Sequence, residues 1–166
     1  MGYLHIQNLY KDQTILMFKR CFALEKIHGT SAHISWRSGV FAPEGKLGFF
    51  SGGESHERFT KLFDAAKLRE AFTAICADHG HDRVTVYGEA YGGSQQKMSE
   101  TYGKELRFIA FDVYVGEAAD GEPGTEGHKA GQGAWLNVPA AHDVATKLGL
   151  EFVHYTEVST ELSELD

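Results

Sequence analysis

The residues best placed to do chemistry in this sequence are Glu25-Lys26-Ile27-His28-Gly29-Thr30-Ser31, where a lysine stands three positions ahead of a glycine. A lysine is a compact cation whose pKa falls on burial or beside another positive charge, and the free amine that results is a nucleophile. Gly29 lets backbone approach a phosphate closely, and Thr30 and Ser31 add hydroxyl donors. His28 adds an imidazole, which suits a general acid or base, or a phosphate contact.

Two further stretches carry candidate groups. In "VYGEAYGG", Glu89 follows the strand-like "RVTVYG", where an isolated carboxylate needs a partner if it is buried. In "FIAFDVYV", Phe111 lies in an apolar run, where an aromatic ordinarily packs in the core.

Together these segments resemble one family. "EKIHGTSAHI" is similar to motif I of the covalent nucleotidyltransferases, in the Lys-x-His-Gly-Thr form of phage and editing-type ATP-dependent RNA ligases. "VYGEAYGG" looks like motif III and "FIAFDVYV" like motif IIIa, so the resemblance spans residues 21–115 in the right order.

The resemblance implies an adenylyltransferase domain that seals RNA in three steps. A lysine attacks the α-phosphorus of ATP, AMP passes to a 5'-phosphate end, and a 3'-hydroxyl displaces it. Lys26 would be the adenylated nucleophile and His28 would act beside it. The backbone of Glu25 and Ile27 would meet the adenine, Gly29, Thr30 and Ser31 the phosphates, Glu89 a ribose hydroxyl and Phe111 the adenine face, a stacking contact worth about 1–3 kcal/mol for which Phe108 is the competing choice. ATP, Mg²⁺ or Mn²⁺, and RNA ends, nicked or single-stranded, would be the cofactors and partners. No residue is assigned as a metal ligand. A degenerate or truncated nucleotide-binding or RNA-end-binding domain, or a DNA ligase or capping-type nucleotidyltransferase, stands as the alternative.

The sequence departs from the family pattern in places. Relatives carry a Ser-Arg pair on the strand after motif I, whereas "FFSGGESHERF" places Gly52 where the arginine belongs; Arg37, Arg58 and Lys46 are the cations that could replace it. Ser31 stands where asparagine is common. Motif IV, with its metal-binding carboxylate, and motif V, Lys-x-Lys, are expected after the last strand and do not occur before Asp166. A partial domain is therefore expected, with a C-terminal segment or a second chain supplying those motifs.

These groups need a scaffold, and 166 residues allow one ordinary core. The expected class is α+β: antiparallel sheets around a nucleotide cleft, flanked by helices. "CFALEKI", "SAHISW" and "KLGFF" read as strands between turns, with Lys26 on the first. "ESHERFTKLFDAAKLREAFTAICADHG" has helical spacing and reads as one broken helix or two, stopped by Gly80. "RVTVYGEAYG" and "ELRFIAFDVYVG" read as strands, the latter central. "GEAADGEPGTEGHKAGQGA", residues 116–134, reads as a flexible Gly-rich loop, a hairpin tip or linker. A helix opened by Pro139 and a strand "EFVHYTEV" follow.

Composition narrows the partners. Sixteen Lys and Arg against 23 Asp and Glu give a charge of −7, which excludes a general nucleic-acid coat but leaves a local phosphate site open. There is no membrane-length apolar run and no signal-peptide order at the N-terminus, so a cytoplasmic protein is expected. Cys21 and Cys76 lie far apart in apolar surroundings and read as reduced thiols. "DHGHD", residues 78–82, reads as a solvated turn rather than a metal site.

Overall fold

The computed structural model describes residues 3, 5–40, 42–93, 103–116 and 133–161. In chain order the elements are a 3₁₀ turn Thr14–Met17, β1 Arg20–Leu24, β2 Thr30–Arg37, β3 Lys46–Ser51, α1 His56–Thr60, α2 Ala65–His79, β4 Arg83–Tyr91, β5 Arg107–Gly116, β6 Gly133–Trp135, α3 Val138–Lys147, β7 Glu151–Phe152 and β8 Tyr155–Ser159. The chain falls into two compact units, one of Met1–Lys26 with Val153–Asp166 and the other of Ile27–Phe152.

The first unit is built on β1 and β8, antiparallel from Arg20 opposite Ser159 to Leu24 opposite Tyr155. Glu25 extends this pairing one step, its N–H donating to the His154 carbonyl at 2.9 Å. An edge-to-face contact of Phe22 with Tyr155 and an ion pair of Arg20 with Glu157 lie across the ribbon. At its far end the Thr160 hydroxyl donates to the Phe18 carbonyl.

The second unit holds six strands among the described residues, in the order β3-β2-β4-β5-β6, with β7 alongside β5. All pairings are antiparallel except β5 with β7. This mixed, mainly antiparallel sheet with few helices is an α+β arrangement. β5 is interior, as its two-sided apolarity implies, with β4 on one side and β6 and β7 sharing the other.

Alternation along the strands separates two faces. Ala32, Ile34 and Trp36 of β2, Val84, Val86 and Ala90 of β4, and Phe108, Ala110, Val113 and Val115 of β5 point into one core. Phe59 of α1, Leu68, Phe72 and Ile75 of α2, and Ala141, Val144 and Ala145 of α3 join it. Phe59 and Phe72 are fully buried, and each such side chain contributes about 1.5–3 kcal/mol by leaving water.

The helical stretch is two helices. Ser55 caps α1 and the Asp64 carboxylate caps α2, accepting from the N–H groups of Ala66 and Lys67 at 3.1 and 3.2 Å. Gly80 closes α2 in the left-handed region with φ 67°, where a side chain would be strained.

Two expectations change. β1 stops at Leu24, so Lys26 lies just beyond the strand rather than on it. "EFVHYTEV" is two strands, because Val153 and His154 interrupt it and β7 and β8 belong to different sheets. Of residues 116–134, Gly116 ends β5 and Gly133 opens β6 directly opposite it, so the ends of the stretch are paired strand. Residues 117–132, where a flexible loop was expected, lie outside the described residues.

Candidate functional site on the second face of the sheet

The face of the large sheet turned away from its core carries a row of polar and aromatic side chains that includes Ser31 and Glu89. On β2 these are Ser31, His33, Ser35 and Arg37, and on β4 Arg83, Thr85, Tyr87, Glu89 and Tyr91. The register sets Ser31 opposite Glu89, His33 opposite Tyr87, Ser35 opposite Thr85 and Arg37 opposite Arg83. Directly opposed residues of an antiparallel pair have Cβ atoms about 4.5–5.5 Å apart. Ser31, two residues after Gly29, and Glu89 are therefore neighbours.

Phe111 owes its place to an irregularity. Ala110 pairs with Gly88 and Asp112 with Tyr87, so two consecutive residues of β4 face three of β5, and Phe111 is the extra one. Such a bulge re-aims a side chain and sharpens the local twist. Phe111 is half-buried and lies outside the core cluster. Phe108 is the reverse case, buried on the core face in edge-to-face contacts with Phe59 and Phe63. Of the two aromatics, Phe108 is committed to packing.

The glycines of both motifs answer to backbone packing. A Cβ on Gly29 would overlap the Ala90 carbonyl of β4, and one on Gly88 would overlap the Ile109 carbonyl and the Phe108 ring. Gly29 thus seats the segment entering β2 against the end of β4, at Ala90 and Tyr91. Gly52 donates its N–H to the Ser31 carbonyl at 2.9 Å. The position that carries arginine in the family pattern is therefore beside Ser31, and here it has no side chain.

The cations considered for that role are elsewhere. Arg37 pairs with Arg83 and Lys46 at the opposite end of the ladder, six residues along β2 from Ser31. Arg58 belongs to α1, where its guanidinium binds the Glu54 carboxylate at 3.2 Å.

Glu25 and Lys26 belong to the first unit; both are exposed, and the Glu25 N–H is held by His154. Ile27, at 9% exposure, is the first residue of the second unit and is buried, whereas His28 after it is exposed. Thr30 is half-buried opposite Ala90.

Several residues of this face carried no signal of their own in the sequence. His33 stacks on Phe50 at 4.9 Å and tilts against Tyr87 at 5.4 Å, and burial lowers its pKa. Tyr87 also meets Trp135, which packs edge-on to Tyr114, and Arg83 sits over the Tyr114 ring. Burial raises the Tyr87 pKa. At the Glu89 end, Arg107 pairs with Tyr91 across the ladder and binds the Glu151 carboxylate. Parity would have placed these residues on the face of Glu89, but only strand order shows which of them adjoin it.

The sequence model of the RNA ligase family matches residues 19–165. The chain belongs to the RNA ligase family. Its three motif matches thus sit inside a match that covers most of the chain, and at the general level the protein is a ligase-type enzyme. No curated protein matches it. Among the described residues of this family member, no helix is long and apolar enough to cross a membrane.

Proposed function

We propose that this RNA ligase family chain is an ATP-dependent adenylyltransferase that prepares RNA ends for sealing, with Lys26 as the nucleophile. The observation that carries the reading is the register of β2, β4 and β5, which sets Ser31 opposite Glu89 on the face away from the core and puts the bulge at Phe111, itself outside the core cluster, one step along β4 from Glu89. Each has the chemistry its motif calls for: a hydroxyl for phosphate, a carboxylate to accept from a ribose hydroxyl, and an aromatic face for the base.

In the first step the Lys26 amine, as free base, attacks the α-phosphorus of ATP. The new P–N bond replaces the bond to the β-phosphate oxygen, pyrophosphate leaves, and the amine gives up its proton. His28, two residues on, is the candidate to receive that proton or to hold the departing phosphates. AMP then passes to an RNA 5'-phosphate, and a 3'-hydroxyl displaces it. Glu89 and Phe111 fix the nucleoside so that its phosphate is held for attack, which is where positioning contributes most to rate.

The family implies Mg²⁺ or Mn²⁺. Among the described residues no three His, Cys, Asp or Glu side chains cluster as a metal cage, and no step is assigned to an ion held by them. Mg²⁺ is commonly bound through one or two carboxylates and the substrate phosphates, so it would come with ATP.

Incubation with α-labelled ATP and Mg²⁺, then denaturation, tests the reading. Wild-type chain should retain label that acid releases, and Lys26→Ala should retain none. Equal labelling of both, or no label on folded wild-type chain that still binds ATP, would leave a nucleotide-binding domain without this catalysis.

A further inference from the structure

The second face of the sheet has an order along β4. The Phe111 bulge sits at Tyr87 and Gly88, Glu89 comes next, and Tyr91 follows with Arg107 opposite it. At about 3.4 Å per residue this covers about 10 Å, the scale on which a nucleoside monophosphate extends from base to phosphate. With the base at Phe111 and the ribose at Glu89, the phosphate falls at Tyr91 and Arg107. Gly29 packs against Ala90 and Tyr91, so the glycine of the lysine motif lies at that same level.

Arg107 is built to present a charge there. Its guanidinium lies over the Tyr91 ring at 5.7 Å and is paired with the Glu151 carboxylate, which also accepts from the Tyr91 hydroxyl at 3.3 Å. Glu151 reaches the spot through the parallel pairing of β7 with β5, opposite Ile109. Both charged side chains are about half exposed, 51% each. A guanidinium has five donors in a planar fork that matches phosphate oxygens, more than one carboxylate uses. Among the described residues, the other arginines and lysines on the strands of this face, Arg37, Arg83 and Lys46, are at the far end of the ladder, about 20 Å from Ser31 at the rise of a strand.

Resting on the nucleotide reading above, we propose that Arg107 is the phosphate-binding cation of this site, taking the role that Gly52 leaves without a side chain. Tyr91 and Glu151 position it, and Glu151 is the internal anion that an incoming phosphate displaces. The ligand is a phosphate monoester or anhydride carried by an adenine nucleotide or by an RNA 5' end.

The test is calorimetric titration of the full chain and its variants with adenosine, AMP and ATP, and with one oligoribonucleotide bearing either a 5'-phosphate or a 5'-hydroxyl. Arg107→Ala should weaken the phosphorylated ligands about 10- to 100-fold and leave adenosine unchanged. Arg107→Lys should recover part of the loss. Glu151→Gln should tighten AMP and ATP, because it removes the competing carboxylate. Loss confined to AMP and ATP identifies the phosphate as the nucleotide's, and loss confined to the 5'-phosphorylated oligonucleotide identifies it as the RNA end's. The proposal is overturned if Arg107→Ala weakens adenosine as much as AMP, or if Arg107→Ala and Glu151→Gln lower affinity and melting temperature alike, the result expected of a pair that merely pins β7 to β5. None of these titrations needs Lys26 to react. A chain that binds AMP through Arg107 and takes no label from ATP loses the lysyl-AMP reading and keeps this one.

Discussion

The two faces of the six-stranded sheet use the same strands for different ends. One face is Ala32, Ile34, Trp36, Val84, Val86 and Val113, closed over by α1, α2 and α3. The other carries Ser31, His33, Tyr87, Glu89, Tyr91 and Arg107. Side chains on the first face are chosen by volume and lack of polarity, so chemically similar residues can exchange there at modest cost. Those on the second offer groups that can donate, accept or stack, and register sets which of them are neighbours. A one-residue slip would exchange the faces.

The contrast can be broken most severely from the core side. Phe59→Ala, which empties a fully buried site against Phe49, Phe63 and Phe108, should cost about 3–5 kcal/mol in urea unfolding. A smaller loss would mean the helices close over the sheet more loosely than the contacts imply. Gly88→Ala should come next, at about 1–3 kcal/mol by overpacking, since its Cβ meets the Ile109 carbonyl and the Phe108 ring; a melting temperature equal to wild type would contradict that packing.

Substitutions on the second face should separate function from stability. Glu89→Ala is expected to weaken ATP binding about 10- to 100-fold with little change in unfolding midpoint. A large loss of stability with intact binding would move Glu89 from the site to the scaffold. The smallest expected effect is the pH response of His33. Burial holds its pKa below the usual 6.5, so the folded chain binds fewer protons than the unfolded chain between the two values. The stability it contributes is fully present above pH 6.5 and declines as pH falls through the lower folded value. His33→Phe, which preserves the aromatic contacts with Phe50 and Tyr87, should flatten that part of the profile in thermal melts taken between pH 7 and pH 5.

The core face was legible because alternation and helical spacing are local. The strands around Ile34, Val86 and Val113 and the helix ended by Gly80 all follow from residues near them in the chain. Motif resemblance singled out Ser31, Glu89 and Phe111 as candidates, but it could not show the bulge at Phe111, since an extra residue in a ladder exists only relative to its partner strand. The end of β1 before Lys26 and the split of "EFVHYTEV" escaped because strand limits depend on pairing between distant segments. The cluster of Tyr91, Arg107 and Glu151 was invisible for the same reason. Its members are ordinary residues until β7 settles parallel to β5.

Pairing at a distance also has a consequence for synthesis. β1 leaves the ribosome early, but Arg20 finds its partner only at Ser159. At usual elongation rates that gap lasts on the order of ten seconds. Throughout it the strand beside Lys26 is an open edge, while the segments of the large sheet emerge and can close locally. The strand that precedes Lys26 is therefore among the last to be secured, and the nascent chain is most open to mispairing or to a chaperone just ahead of the residue on which the proposed chemistry depends.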